Sequence, residues 1–384
     1  MTRFASALSR HPVASHAIGE TAGVVLERFD GEDPDLLVCF VSPHFAGAFD
    51  DMANALRNLL DPGVLIGMTV VSVIGDAQEI EDAPAVSLFA ARLPGARFVP
   101  ARLEVEGTPD GDAVVGWPEG DELAPGTEAP TLLLFADPFS FPVDGFLRRL
   151  SDDLPHLTVV GGMASAAARP GGNTLVLDDA VVDDGAVGVF VSGAGLHTVV
   201  SQGCRPIGDP YVVTGAQRNF VEALAGRPAL DRLRDLAEAV SDEDRALLQQ
   251  GLHLGVVVDE HRVEFGRGDF LVRNVLGGDR ESGAIAVGDR IEVGRTVQFH
   301  VRDAAAADED LRALLRGEQA EAALVFTCNG RGHRLFGVPD HDAGVLAELL
   351  GPIPAAGGFC AGEIGPVGGH SFLHGFTASI ALFS

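Results

Sequence analysis

Hydrophobic residues along this chain follow two rhythms. Short apolar runs bounded by glycine, proline and acidic turns predict buried strands. Stretches in which apolar positions recur every three to four residues predict helices. Val13 to Phe29 has the helical rhythm, with Val13, Ala17, Thr21, Val24, Val25 and Phe29 on one face, and Gly31-Glu32-Asp33-Pro34 breaks it. Asp35–Val41 then predicts a strand, Asp50–Leu60 a helix stopped by Asp61-Pro62-Gly63, and Val64–Ile74 a second strand. Alternation in Ala85–Leu93 and Arg97–Val105 predicts antiparallel strands joined at Pro94-Gly95, and Gly107–Pro130 reads as a surface excursion. Thr131–Phe135 predicts a strand, Pro142–Leu154 a helix, and three strand-like pieces follow up to Gly193.

A second section begins near His197. Gln217–Leu248 predicts its helical part, broken at Gly226-Arg227-Pro228 and near Ser241, where a serine can cap the next helix. Leu252–Asp259, Phe270–Val275, Thr296–Val301 and Ala322–Cys328 predict strands, and Leu311–Leu315 and Ala343–Leu350 lie in predicted helices. The expected class is mixed α/β: two domains, residues 1–196 and 197–384, each with a mixed or largely antiparallel sheet flanked by helices. One pattern recurs: LIGMT at Leu65–Thr69, VVGGMAS at Val159–Ser165 and AAGGFCAG at Ala355–Gly362 each run from apolar residues into glycine and small or polar ones. It reads as a repeated strand–loop–strand unit.

Composition narrows the functional classes. A length of 384 residues suits two domains. A formal charge of -28 disfavours nucleic acid, whose binding depends on basic side chains neutralising phosphates, and equally an anionic membrane surface. The chain has no lysine, which excludes Schiff-base and P-loop lysine chemistry. Cys39, Cys204, Cys328 and Cys360 are far apart with no CxxC pair, so free thiols in a reducing, cytoplasmic compartment are expected. Neither a signal peptide nor an apolar run long enough to span a membrane is apparent.

Several motifs fail on physical grounds. The segment from Val159 to Asp179 mimics a dinucleotide fold, but Ala168–Asn173 holds proline and glycine where the helix should open. His370 and His374 would share a helix face, yet their neighbours favour an extended segment in which residues four apart cannot reach one metal ion. No GxSxG elbow, HExxH or SxxK arrangement occurs.

What survives is a set of polar groups in apolar surroundings, just past predicted strands. Arg273 follows one strand, Asp303 another, Asn329 and Arg331 lie in the turn CNGRG, and Glu363 follows Cys360 in the closing glycine-broken loop with His374 beyond. Arginine forks suit carboxylates, and the acids could receive an ammonium, so these residues together suggest a pocket for an amino acid or small carboxylate. Buried ion pairs among Arg273, Arg331, Asp303 and Glu363 that knit strands together are the alternative. Cys360 or Cys328 as nucleophile assisted by Glu363 or a histidine is the enzymatic alternative.

The segments SQGCRPIGDPYVVT (Ser201–Thr214), DFLVRNVLGGD (Asp269–Asp279), VQFHVRDA (Val297–Ala304), LVFTCNGRG (Leu324–Gly332) and GGFCAGEIGPVG with FLHGFTAS in the last 28 residues together resemble the FIST_C domain. FASALS, PDLLVCFVSPH, LIGMT, EDAPAVSLFAARLPG and VVGGMAS resemble its FIST_N companion. The resemblance implies a non-catalytic sensory module for small ligands, amino acids among them. Relatives are fused to output domains, so this chain is expected to signal in trans to a separate output protein. Some bacterial relatives bind haem and sense nitric oxide. Haem is therefore the alternative cofactor to none, with His374 as first axial candidate and His253, His300 and His333 as competitors.

Overall fold

The computed structural model describes residues 1–108, 111–118 and 129–384 and is a mixed α/β protein of two compact units. The first comprises Met1–Val200, Leu311–Leu373 and Thr377–Ser384; the second comprises Ser201–Asp310 and His374–Phe376.

The first unit is built three times over from one plan. In each copy a strand, a helix and a second strand parallel to the first form a crossover. The three crossovers are Leu36–Val41, Phe49–Leu60 and Val64–Thr69; Thr131–Ala136, Val143–Asp153 and Thr158–Met163; and Ala322–Cys328, His341–Leu350 and Ala355–Cys360. A later strand returns antiparallel beside the first strand of each: Val86–Arg92, Ala186–Ser192 and Thr377–Phe383. Between the crossover and the return, each copy sends out a short strand that pairs with the sheet of another copy. Val73–Gly75 joins the third sheet, Leu175–Leu177 the first, and Glu363–Val367 the second. The exchange is cyclic.

Alternation along the strands decides the layers, because successive side chains point to opposite faces. Leu36, Val38 and Phe40, Leu133 and Phe135, and Leu324 and Phe326 turn into one shared core. At its centre Phe40, Phe135 and Phe326 pack with ring centroids 5.6, 6.0 and 5.7 Å apart. The intervening residues face outward under helices. Leu37 and Cys39 pack with Met52 and Leu56, Leu132 and Leu134 with Phe146 and Leu150, and Ala323 and Val325 with Leu311, Val345 and Leu346. Three glycines at matched positions let the parallel strands close up. A Cβ on Gly67, Gly161 or Gly357 would lie 2.7, 2.0 or 2.0 Å from the carbonyl oxygen of Cys39, Leu134 or Val325.

The three similar sequence segments are thus the second strand of each crossover, and their loops meet. The Ser165 amide donates to the Thr69 carbonyl, the Phe359 amide to the Ser72 carbonyl, and the Ala361 amide to the Met163 carbonyl.

The second unit is a seven-stranded sheet, among the described residues, with Cys204–Gln217, Thr296–Arg302, Leu252–Val257 and Phe270–Gly278 as its longer neighbouring strands. Helices Ala229–Ala239 and Asp242–Gln250 belong with it, and Leu236 joins Ile207, Leu254 and Phe299 in its core. Ser241 caps the second helix by accepting from the Asp244 amide at 3.0 Å.

Four sequence expectations change. Val86–Arg92 and Arg97–Thr108 are not a hairpin: the first pairs with Arg3–Ser9 and Leu36–Val41, the second with Ala186–Ser192 in another sheet. The division at 196/197 does not follow the compact units, because the last 74 residues (311–384) return, apart from His374–Phe376, to pair with strands from the first half. Val64–Ile74 is two strands in two sheets, broken at Val70–Ser72, since no ladder runs through that turn. Phe220–Leu224 is a strand rather than helix: it pairs with Cys204–Gln217, and exposed Phe220 and Glu222 alternate with buried Val221 and half-buried Ala223. Half of the predicted excursion Gly107–Pro130 lies outside the described residues, and Gly111–Val115 returns as a strand against Arg97–Thr108.

Candidate functional site

The three-fold plan tests which polar groups the fold itself requires. Matching the strand registers, the positions of Cys360, Glu363 and Thr377 are held by Val70, Val73 and Ala85 in the first copy and by Ala164, Leu175 and Gly185 in the second. An apolar residue serves at the Glu363 position twice, so the carboxyl answers no demand of the architecture. Cys328 matches Ser42 and Asp137, which satisfy amides at the strand end: Ser42 Oγ accepts from Ala85 at 3.0 Å and Asp137 Oδ2 from Phe139 at 3.0 Å. The Gly330 amide likewise donates to Cys328 Sγ at 3.4 Å.

Cys328 and Cys360 end neighbouring parallel strands and are register partners. Cys360 is fully buried at the edge of the shared core, and Cys328 is 6% exposed. Glu363 is fully buried; its Oε2 accepts from the Thr377 hydroxyl at 2.8 Å and the Thr377 amide at 3.1 Å, and its Oε1 has no hydrogen-bond partner. Burial pushes the Glu363 carboxyl up to about 8, against the Thr377 hydrogen bonds, the Arg331 charge and the Cys328 thiol. At neutral pH it is a protonated acid. Burial also pushes the Cys360 thiol up, with Glu363 and Cys328 adding to the effect.

Arg331 is wholly enclosed. Its Nε and Nη2 donate to Asp342 at 2.7 and 2.8 Å, and its guanidinium lies 5.1 Å from the Phe336 ring centroid. Burial tends to raise the Asp342 carboxyl, but Arg331 and the hydrogen bonds from His341 and Thr327 hold it well below the usual carboxylate range. Glu79 approaches from the first copy. Its Oε1 accepts from the Ala343 amide at 3.0 Å, its Oε2 is buried without a partner, and burial followed by the Asp342 charge pushes its carboxyl up to about 8.

The seven residues singled out from the sequence divide between the units. Asn329, Arg331, Cys360 and Glu363 belong to the first, and Arg273, Asp303 and His374 to the second. Asn329 is exposed in the turn after Cys328, its amide bonded to the Cys360 carbonyl. Arg273 donates to Asp289 at 2.9 Å and Asp303 accepts from Arg205 at 2.6 Å, so both belong to ion pairs inside the second unit. The ion-pair reading describes Arg273, Asp303 and Arg331; Glu363 and Cys360 stand outside it. Sequence reasoning missed Asp342 and Glu79, and it treated Cys328 only as a possible nucleophile. Recurrence was the available signal: once the glycine segments are aligned, the polar departures of the third copy become visible.

The second unit has its own buried polar face. His253 and His300 are register partners on adjacent strands. Both ring nitrogens of His253, and Nε2 of His300, are buried without a hydrogen-bond partner, as are Ser201 Oγ and Gln202 Oε1. The His253 ring lies 4.4 Å from that of Phe376. Burial lowers both imidazoles to about 4, so both are neutral at neutral pH. His370 and His374 lie on one extended strand, as expected. Among the described residues no three His, Cys, Asp or Glu side chains are grouped to hold a metal ion, and no helix is long and apolar enough to cross a membrane.

Comparison with known proteins identifies the family. The chain matches the FIST N domain over residues 35–227 and the FIST C domain over residues 229–366. It is 44% identical over 387 residues to uncharacterized protein MT0656 of Mycobacterium tuberculosis, covering 99% of each chain. It is 44% identical over 379 residues to uncharacterized protein Mb0898c of Mycobacterium bovis, covering 97% of this chain and 96% of the relative. Because the two domain matches together span most of the sequence, this chain belongs to the FIST family.

Proposed function

We propose that this protein is a non-catalytic sensor that binds an amino acid or small carboxylate and signals to a separate output protein. FIST domains are generally taken as small-ligand sensory modules. The observation that carries the reading for this chain is Glu363: an enclosed carboxyl with one unpartnered oxygen, where both sister copies hold an apolar residue. An unsatisfied buried acid destabilises the fold, which makes binding a more economical account than packing.

An amino acid fits better than a simple carboxylate. Two arms of the Arg331 fork already hold Asp342, so Arg331 shapes the wall more than it grips a ligand. Glu363 can accept from an ammonium, and doing so lowers its pKa and releases its proton. Cys328, Cys360, Thr377 and the Asn329 turn complete the surroundings. A thermal-shift screen of amino acids and small carboxylates tests this. At a hundredfold excess over Kd a ligand stabilises by about 2.7 kcal/mol. The expected hit shifts the wild type, does so more strongly as pH rises through 8, and fails on Glu363→Gln. Silence across the panel removes the reading.

A second reading, a haem-binding gas sensor, has an observation of its own in His253, whose imidazole is buried with both nitrogens unpartnered. His253 thereby displaces His374 as the first axial candidate, and non-covalent haem would place redox and gas-binding iron chemistry at that ring. Haem titration that gives a Soret band in the wild type and none in His253→Ala supports it; no band in either removes it.

A further inference from the structure

We propose that Cys328 and Cys360 form a two-electron thiol centre that is oxidised to an internal disulfide by small hydroperoxides. The inference does not depend on the sensor reading, since it needs no ligand at Glu363.

Pairing is the first observation. The two cysteines are direct register partners on adjacent parallel strands, so their side chains share one sheet face and their backbones lie about 4.8 Å apart. That spacing falls within the Cα range a disulfide spans, and it is wide for the Cβ separation, so the sheet must pinch locally to close the bond. A bond formed under such constraint is easily reduced, the behaviour of a reversible rather than a structural disulfide.

The two thiols also differ in the ways that attack and resolution require. Cys328 is the less deeply buried of the two, 6% exposed at the strand end, with the Gly330 amide 3.4 Å from its sulfur and the Arg331 guanidinium close enough to interact with it. A hydrogen-bond donor and a cation both favour a thiolate. Cys360 is fully enclosed and donates to the Gly358 carbonyl at 3.5 Å, a thiol held neutral and out of an oxidant's reach. Glu363 stands beside both sulfurs with an unpartnered oxygen. The sister copies place Ser42 with Val70 and Asp137 with Ala164 at these positions, so only the third copy carries two thiols.

The chemistry balances as follows. The Cys328 thiolate attacks the terminal oxygen of the hydroperoxide and the O–O bond breaks. Cys328 becomes a sulfenic acid and an alcohol leaves, taking its proton from the Glu363 carboxyl, which is restored by the proton that the Cys328 thiol gave up. The Cys360 sulfur then attacks the Cys328 sulfur, the S–O bond breaks, and water leaves with the Cys360 proton. Two thiols are oxidised to one disulfide, and one hydroperoxide is reduced to an alcohol and water.

The test treats the full chain with hydrogen peroxide or a small organic hydroperoxide, then reads thiol count, intact mass and the linked peptides. The expected product has lost two of its four thiols and two hydrogens, carries a Cys328–Cys360 link, and reverts with dithiothreitol. Cys360→Ser should stop at a sulfenic acid on Cys328 that dimedone traps. Cys328→Ser should react roughly tenfold more slowly or not at all. Glu363→Gln should shift the pH at which the rate rises. A folded chain, by circular dichroism, that keeps four thiols in excess peroxide overturns the proposal, as does linkage through Cys39 or Cys204, or a Cys328→Ser variant that oxidises at the wild-type rate.

Discussion

At the scale of single residues, the fold holds several ionisable groups in the protonation state opposite to water's preference, and this sets a pH dependence. Glu363 and Glu79 keep their protons to about pH 8 when folded and lose them near 4.5 when unfolded. Between those values the folded chain binds more protons, so stability falls as pH rises. His253 and His300 titrate near 4 when folded and near 6.5 when unfolded, so the unfolded chain binds more protons there and stability rises with pH. The trends oppose each other below pH 6.5, and above it the carboxyls act alone. Thermal unfolding should therefore show stability falling between pH 6.5 and 8, with about half that slope in Glu363→Gln. Arg331→Ala leaves Asp342 as an unpaired buried charge and should cost about 3–5 kcal/mol by urea denaturation, whereas Arg331→Met with Asp342→Leu should cost much less. Glu363, Arg331 and Cys360 were legible in the sequence because each interrupts an apolar context. Asp342 was not, since an acid in the first turn of a helix usually favours the helix dipole at the surface.

At the scale of elements, the chain repeats a crossover whose second strand approaches the first through a glycine. Gly357→Ala would put a Cβ 2.0 Å from the Val325 carbonyl oxygen, so a backbone must move. The expected cost is at least about 2 kcal/mol, read from the midpoint of denaturant unfolding. Gly337, at a helix end with φ 71° and no atom near its absent Cβ, is different: any cost of Gly337→Ala there comes from backbone strain alone and should be smaller. The recurring glycine segments were visible in the sequence, and so were most strands, because their apolar runs are continuous. The cyclic exchange of short strands was not. Val73–Gly75 and Leu175–Leu177 are too short to announce a partner, and pairing between residues nearly 300 positions apart leaves no local pattern.

For the whole molecule, the consequence is that the chain's two halves are not its folding units. A fragment ending at residue 200 contains the FIST N match up to that point, yet its strands Val73–Gly75 and Thr158–Met163 lose Ala355–Cys360 and Glu363–Val367 as neighbours. It should lack the cooperative unfolding and amide-exchange protection those strands show in the full chain. The division expected near residue 196 lies close to Val200, where the first stretch of the larger unit ends, but residues 311–384, apart from His374–Phe376, rejoin that unit. The central claim, that the third copy trades packing for a ligand, is tested most directly by Glu363→Leu, which restores the residue the second copy carries at Leu175. Its thermal unfolding should be measured with and without the amino acid that stabilises the wild type. The account predicts a variant at least as stable as the wild type, because an unsatisfied buried acid has been removed, and no response to the ligand. A destabilised variant that still responds to the ligand would contradict it.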